Sequence, residues 1–177
     1  PVLRTPQINL PPGSRGRVAL GLTAAAAEGR FVLQSCEDCG AVQYPPREAC
    51  CRCLSPRLAW RDQSGQGQLL ATTTLHHSND LYFRERLPWR LGTVQLAAGP
   101  SLMVHLHGAV GEAPSAVRVG ARLDRSGQAV LIAFPENGEA HMADDRMLRE
   151  MTSDPRHRKV LVTRGARPGG RGGPEGG

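Results

Sequence analysis

Cys36-Glu-Asp-Cys39 and Cys50-Cys-Arg-Cys53 are two C-x2-C pairs separated by ten residues, and thiolates in that spacing ligate metal. Each pair sits in a tight turn that aims two sulfurs at one ion. Two such turns facing each other close a tetrahedron with metal–sulfur distances of about 2.3 Å. Gly40, directly after the first pair, supplies the backbone freedom such a turn needs. Four thiolates leave no open position for water, so the predicted site is structural: it replaces the core that so small a module cannot build, and no chemistry occurs at the metal. Zinc is the expected ion, while the same ligands also suit iron in a rubredoxin-like centre. Cys51 is a fifth thiol, but Cys51-Arg52-Cys53 is too short a knuckle, so spacing selects Cys50. Five cysteines, an odd number, between positions 36 and 53 fit metal ligation better than a disulfide framework. The chain shows no signal-peptide pattern and no apolar run near the roughly 18 to 20 residues of a membrane span, which predicts a cytoplasmic protein without membrane insertion.

The elements that must position these sulfurs lie on either side of them. Leu20 to Gly29 is alanine-rich and ends on glycine, which predicts a helix before the cysteines. Phe31 to Gln34 predicts a short strand leading into Cys36, and Gly40, Pro45, Pro46 and Pro56 predict loop and turn through the cysteine segment. From Gly67 the pattern alternates with period two, Leu69, Ala71, Thr73 and Leu75 on one side and Leu70, Thr72, Thr74 and His76 on the other, predicting a long strand. Ser78 to Pro88 reads as a charged and aromatic loop. Trp89 to Ala97 and Ser101 to Ala109 form a predicted hairpin around Ala98-Gly99-Pro100, and Gly111 to Ser115 breaks the pattern. Ala121 to Arg125 and Ala129 to Pro135 form a second hairpin around Ser126-Gly127-Gln128. Five strands with a long first connection and short later ones match a Greek-key barrel of the OB type, although periodicity alone does not separate it from an SH3-like barrel. Ala140 to Met151 predicts a short helix with Met142, Met147, Leu148 and Met151 toward one face.

The net charge of +6, from 22 basic and 16 acidic residues, invites a nucleic-acid reading. Its distribution argues otherwise: between Phe31 and Pro135 ten arginines face eight acids, leaving the predicted folded part nearly balanced. Only Lys159 among the cations is lysine, a bias that fits nucleotide composition as well as function. Single-strand binders of this fold also need several stacking aromatics, and seven aromatic residues in all, several claimed by packing, are too few.

The run from Gly29 through Cys36, Cys39-Gly40, Tyr44-Pro45-Pro46-Arg47, Cys50 and Cys53 to Trp60 and the Ser64-to-Gly67 turn resembles the bacterial and archaeal proteins called domain of unknown function 35. The resemblance continues through Pro88-Trp89, Val94 to Leu96, Gly99-Pro100 and Val119-Gly120, covering about Gly29 to Pro135. It implies a rubredoxin-like zinc ribbon joined to an OB-fold, with Cys36, Cys39, Cys50 and Cys53 as zinc ligands and no catalytic residue. It further implies a non-catalytic accessory subunit, in a hetero-oligomer with a thiolase-like, aldolase or acyltransferase subunit of lipid, sterol or polyketide metabolism, with acyl-CoA as a ligand. The alanine-rich helix departs from the aromatic-rich, partner-contacting helix of such proteins. The alternative reading is a nucleic-acid-binding OB-fold protein.

The expected fold class is mainly β: an N-terminal helix and four-cysteine zinc ribbon followed by a five-stranded OB-fold barrel. The expected division is a disordered tail over 1–17, helix and ribbon over 18–62, barrel over 63–137, and a short helix with a Gly/Arg-rich tail over 138–177. Lys159 to Thr163 with Gly165, Gly169 and Gly170 has the look of a strand and glycine turn of a dinucleotide site, but the chain lacks the following helix and acid, so it reads as tail or fusion remnant. Arg84, Arg86, Trp89 and Arg90 surround the first barrel loop, where OB-folds take ligands. Their guanidinium groups suit the phosphates of coenzyme A, and Trp89 or Phe83 suits adenine. Arg47 is a further candidate for that contact or for holding the ribbon against the barrel. His105 with His107, and His76 with His77, are set against a second metal site, because no third ligand is placed near them.

Overall fold

An alanine-rich segment has high helix propensity and little bulk, and it forms the first element of the computed structural model, which describes residues 9–11, 16–136 and 142–153. Helix α1 (Leu20–Ala27) follows a single 3-10 turn at Arg17–Ala19. It stops where predicted. Gly29, at φ +75°, donates to the Ala26 carbonyl at 3.2 Å, and the Arg30 N–H reaches back to Ala25 at 2.9 Å, the paired bonds of a glycine-terminated helix. Leu22, Ala25 and Ala26 are buried, so the small face lies close against the barrel.

Strands β1 (Val32–Cys36), β2 (Val42–Gln43) and β3 (Leu58–Asp62) form an antiparallel sheet in the order β2-β1-β3. β1 runs two residues past its predicted end and so delivers Cys36. β3 is absent from the sequence reading. Leu58-Ala-Trp-Arg-Asp has no alternation of its own, and the strand forms because it pairs with β1 from Val32–Asp62 to Cys36–Leu58.

Strands β4 (Gln66–Leu75), β5 (Trp89–Leu96), β6 (Ser101–Leu106), β7 (Ser115–Leu123) and β8 (Ala129–Pro135) close into a barrel in the order β4-β5-β6-β8-β7. Parallel pairing of β6 with β8, at His105–Ile132 and Leu106–Ala133, accompanies antiparallel pairing everywhere else. The barrel is an OB-fold, as expected. Three details correct the sequence reading. Leu70 lies outward at 53% exposure, opposite buried Leu69 as alternation predicts, but past a bulge between Leu69 and Ala71 the alternation of β4 fails, and Ala71 and Thr73, predicted on the Leu69 face, are exposed. β7 begins six residues before the predicted Ala121: Val117, Val119, Ala121 and Leu123 point inward in clean alternation, and Gly120 does not interrupt it. β6 ends at Leu106, short of Ala109, because His107 turns inward and the chain bends.

The barrel buries its interior and part of its outer face, while Leu70 of β4 and Met103 of β6 stay exposed. Inside lie Leu69, Val94, Leu96, Leu102, Val104, Leu106 and the inward residues of β7, in one cluster with Leu22 of α1 and Phe31, Val32 and Leu33 of the ribbon. Outside, Trp89 and Leu91 of β5 and Val130, Ile132 and Phe134 of β8 are covered by two helices. One, α2 (Leu81–Arg84), falls within the predicted loop; Asp80 caps it by accepting from the N–H groups of Tyr82 and Phe83. The other, α3 (Arg146–Met151), follows a 3-10 turn at Met142–Asp144 and buries Leu148 and Met151. The predicted helix start at Ala140, the tail over 154–177 and most of the tail over 1–17 lie outside the described residues. No helix among the described residues is long and apolar enough to cross a membrane.

Gly65 sets the approach of β4 to β7. Its φ is +75°, and a Cβ there would lie 2.0 Å from the Val119 carbonyl oxygen. Gly65→Ala is expected to destabilise the chain by at least about 2 kcal/mol, measured as a lowered denaturant midpoint with the metal site still loaded.

Candidate metal centre

Two knuckles of the same backbone form hold the sulfurs. In the first, the Cys36 N–H donates to Ala41 O at 2.9 Å and the Gly40 N–H returns to Cys36 O at 2.9 Å. In the second, Cys50 donates to Ser55 O at 2.8 Å and Leu54 returns to Cys50 O at 3.0 Å. The residue four after the leading cysteine is left-handed in both, Gly40 at φ +70° and Leu54 at φ +61°. Glycine takes that conformation without strain, whereas Leu54 takes it with its side chain 78% exposed.

The four Sγ atoms lie within 4.8 Å of one another, with Cys36–Cys53 at 3.5 Å and Cys39–Cys50 at 3.6 Å. A tetrahedral ion with bonds of about 2.3 Å places its sulfurs about 3.8 Å apart, so these residues fit the ion. Cys51 is exposed and stands outside the cluster, as its spacing predicted. Backbone donors and sulfur crowding set the thiol acidities in opposite directions. The N–H groups of Cys53 and Arg52 bring Cys50 down to about 6, and those of Cys39 and Asp38 lower Cys36. Ser55 donates to Cys53, yet the neighbouring sulfurs of Cys39 and Cys36 and its desolvation push it up to about 12. Cys39 is raised despite the Ala41 N–H, by its desolvation and by Cys50 and Cys36. A divalent cation at the centre reverses that upward push, because its charge stabilises every thiolate around it.

The sequence reading missed the pair of buried glutamines that hold the second knuckle in place. Gln34 of β1 donates to Arg47 O at 2.9 Å and accepts from Arg47 N at 2.8 Å, engaging both backbone groups of one loop residue. Gln43 of β2 accepts from Cys51 N at 2.8 Å and donates to Gln34 Oε1 at 2.9 Å and to Ala49 O at 3.3 Å. At 6% and 3% exposure these amides require partners, and the knuckle backbone supplies them. The one signal in the sequence is a polar Gln34 on the predicted strand before Cys36, since Gln43 falls in the segment that reads as loop and turn.

The predicted ligand residues divide into two groups. Trp89 is 3% exposed; its Nε1–H donates to His105 Nδ1 at 2.9 Å and its ring meets Phe83 edge-on at 5.0 Å. Arg86 lies 3.9 Å over the Tyr82 ring and donates to Tyr82 O. Arg90 donates to Val110 O at 3.0 Å and faces Glu112 at 3.6 Å, tying β5 to the β6–β7 connection. Arg84 is exposed beside Glu85. Arg47 sits apart from all of these, on the ribbon and beside the Ala98–Ser101 turn at the far end of β5. An eight-residue strand spans about 26 Å, so one small ligand does not bridge the groups. Of the histidines, His105 accepts the hydrogen bond from the Trp89 indole N–H and buried His107 accepts from the Ala109 N–H at 3.1 Å. His76 and His77 are exposed. Among the described residues the four cysteines are the only cluster of metal-ligating side chains found.

Comparison with known proteins matches residues 23–59 to the family model described as ChsH2, rubredoxin-like zinc ribbon domain, and residues 60–128 to that described as ChsH2, C-terminal OB-fold domain. A solved structure described as "Ltp2-ChsH2(DUF35) aldolase" is similar at 22% identity and a TM-score of 0.59, covering 70% of this chain and 98% of that one. A protein of unknown function of the DUF35 family from Sulfolobus solfataricus aligns at 14% identity and a TM-score of 0.44, over 67% of this chain and 84% of that one. No curated protein matches. The four-cysteine cluster thus lies in a zinc-ribbon domain.

Cys36→Ser is expected to abolish retention of one zinc per chain through purification, whereas Cys51→Ser retains it, by elemental analysis. Lowering the pH should release the ion, since protons compete for the thiolates. Trp89→Ala should lower unfolding free energy by about 3–5 kcal/mol, the range for a buried aromatic, which chemical denaturation measures.

Proposed function

Since the chain belongs to the domain of unknown function 35 family in its ChsH2-type form, with both the zinc ribbon and the OB-fold, we propose that it is a non-catalytic accessory subunit of a thiolase-fold enzyme in the cytoplasm, in lipid, sterol or polyketide metabolism. The observation that carries this reading is the closed sulfur site: four cysteines satisfy a tetrahedral ion and leave it no position for substrate or water. The ion then acts as a staple, and the chemistry belongs to a partner. The similar Ltp2-ChsH2(DUF35) aldolase joins a ChsH2 chain with Ltp2, which supports a partner of that kind here. Acyl-CoA is the ligand we assign to the assembled complex, with candidate contacts at two separate places, Arg84, Arg86, Trp89 and Arg90 around α2 and Arg47 on the ribbon. Arg84 and Arg47 have the outward reach for phosphate, being exposed, whereas Trp89 contributes by shaping the loop.

The nucleic-acid alternative has less support. OB-folds take single strands on the face of their second and third strands. In this barrel α2 and α3 cover the Trp89–Leu91 end of the second strand, so Trp89 is buried and offers no open face for a base to stack on.

Affinity purification of the tagged full chain from its native cell is expected to retain a thiolase-fold protein in fixed stoichiometry, and the complex is expected to bind coenzyme A. Recovery of the chain alone, with no coenzyme A binding in any fraction, would end this reading.

A further inference from the structure

Leu54 carries two costs that its own chain does not offset. It holds φ +61°, a left-handed conformation that residues other than glycine seldom take, and its side chain is 78% exposed. The first knuckle supplies the comparison within the molecule. Gly40 stands at the same step at φ +70° without strain, so the turn requires a left-handed residue there and not a leucine. Cys51, Arg52 and Cys53, which lead up to Leu54, are exposed as well, yet the backbone beneath them is fixed. The Leu54 N–H donates to Cys50 O at 3.0 Å, the Arg52 N–H to Cys50 Sγ at 3.4 Å and the Cys51 N–H to Gln43 Oε1 at 2.8 Å. Two residues before the leucine, Arg52 is exposed and no carboxylate among the described residues forms an ion pair with it, whereas Arg57, three residues after, is held by Asp38 at 3.0 Å.

We propose that Leu54 is the anchor by which the second knuckle docks on the partner subunit, entering an apolar pocket whose rim offers carboxylates to Arg52. That the partner is a thiolase-fold enzyme rests on the accessory-subunit reading. An outlier in backbone conformation that persists without serving its own fold points to a role outside it, and burial against another protein removes the exposure that the free chain leaves uncompensated. The metal and the hydrogen bonds of the knuckle hold the leucine in one place, so little freedom is lost on binding. A second copy of this chain does not fit as the occupant. The cleft of about 550 Å³ between the second knuckle and the Ala98–Ser101 turn is lined by Arg47 and Arg52 themselves. The cavity of about 340 Å³ between the end of α1 and β7 presents Arg122, while its Glu28 is already held by Arg30 at 3.0 Å. Either would set arginine against the Arg52 that accompanies Leu54, in a chain whose net charge is +6.

The test pairs the stability of the free chain with its affinity for the thiolase-fold subunit that the tagged full chain retains from its native cell, identified by mass spectrometry and then purified. Leu54→Gly in the zinc-loaded full chain is expected to raise the thermal midpoint by about 2 °C, because glycine relieves the left-handed strain. The same substitution should weaken binding to the purified subunit about tenfold to a hundredfold, the worth of one buried leucine side chain, with zinc content unchanged. Leu54→Met keeps the apolar bulk and should bind within about threefold of the parent. Arg52→Gln should slow association and reduce its dependence on salt. Met103→Thr, which removes an exposed apolar side chain of the barrel, should leave affinity unchanged. Binding of Leu54→Gly as tight as the parent's, a lowered midpoint in that variant, or loss of binding in Met103→Thr alone would overturn the proposal and leave the accessory-subunit reading standing. A parent that dimerises through Leu54, read by sedimentation, would overturn it in favour of a second copy. A parent that retains no thiolase-fold subunit would end both readings.

Discussion

Convergence of four sulfurs on one point is the constraint from which the ribbon takes its shape. The three-stranded sheet includes a strand of only two residues, and between its strands run two knuckles made of turn. Such a segment has too little apolar surface to offset the entropy of ordering it, and a metal–thiolate site supplies the missing free energy. Backbone features follow from that requirement. Both knuckles repeat one hydrogen-bonding pattern, both place a left-handed residue at the same step, and the second tolerates the strain of Leu54 there.

The buried glutamine pair extends this order outward. Gln34 and Gln43 occupy strand positions that an apolar side chain would ordinarily take, and they convert the unsatisfied backbone of the Arg47–Cys51 loop into a bonded network. The strand that delivers Cys36 also packs Phe31, Val32 and Leu33 into the barrel cluster. Ribbon and barrel therefore share one apolar core, and the cleft between the Arg47–Arg52 loop and the hairpin turn has two walls built on that common base.

The barrel differs from a simple ligand-binding OB-fold because β8, and β5 at its Trp89 end, are packed on both sides. β8 reads Ala-Val-Leu-Ile-Ala-Phe, a continuous apolar run, since Leu131 and Ala133 face inward while Val130 and Ile132 meet α2 and α3 outside. Trp89 belongs to that outer layer. A tryptophan that the sequence offers to a ligand is engaged by His105 and Phe83, and its neighbour Arg90 is engaged by the β6–β7 connection.

Residue type and spacing determined the metal ligands, because a C-x2-C knuckle is a local device whose geometry needs only a few consecutive residues. Period-two alternation marked β4, turn residues between apolar runs marked the other four barrel strands, and Gly29 marked the end of α1. What depended on partners distant in sequence was decided by the tertiary structure alone. β3 exists through its ladder with β1, the bulge at Leu70 through the barrel's curvature, and α2 through the apolar face it covers. The burial of Trp89 and the placing of Arg47 at the opposite end of β5 arise in the same way. Spacing encodes what a few neighbouring residues can do together, while burial and charge pairing depend on which distant segments the closed barrel brings alongside.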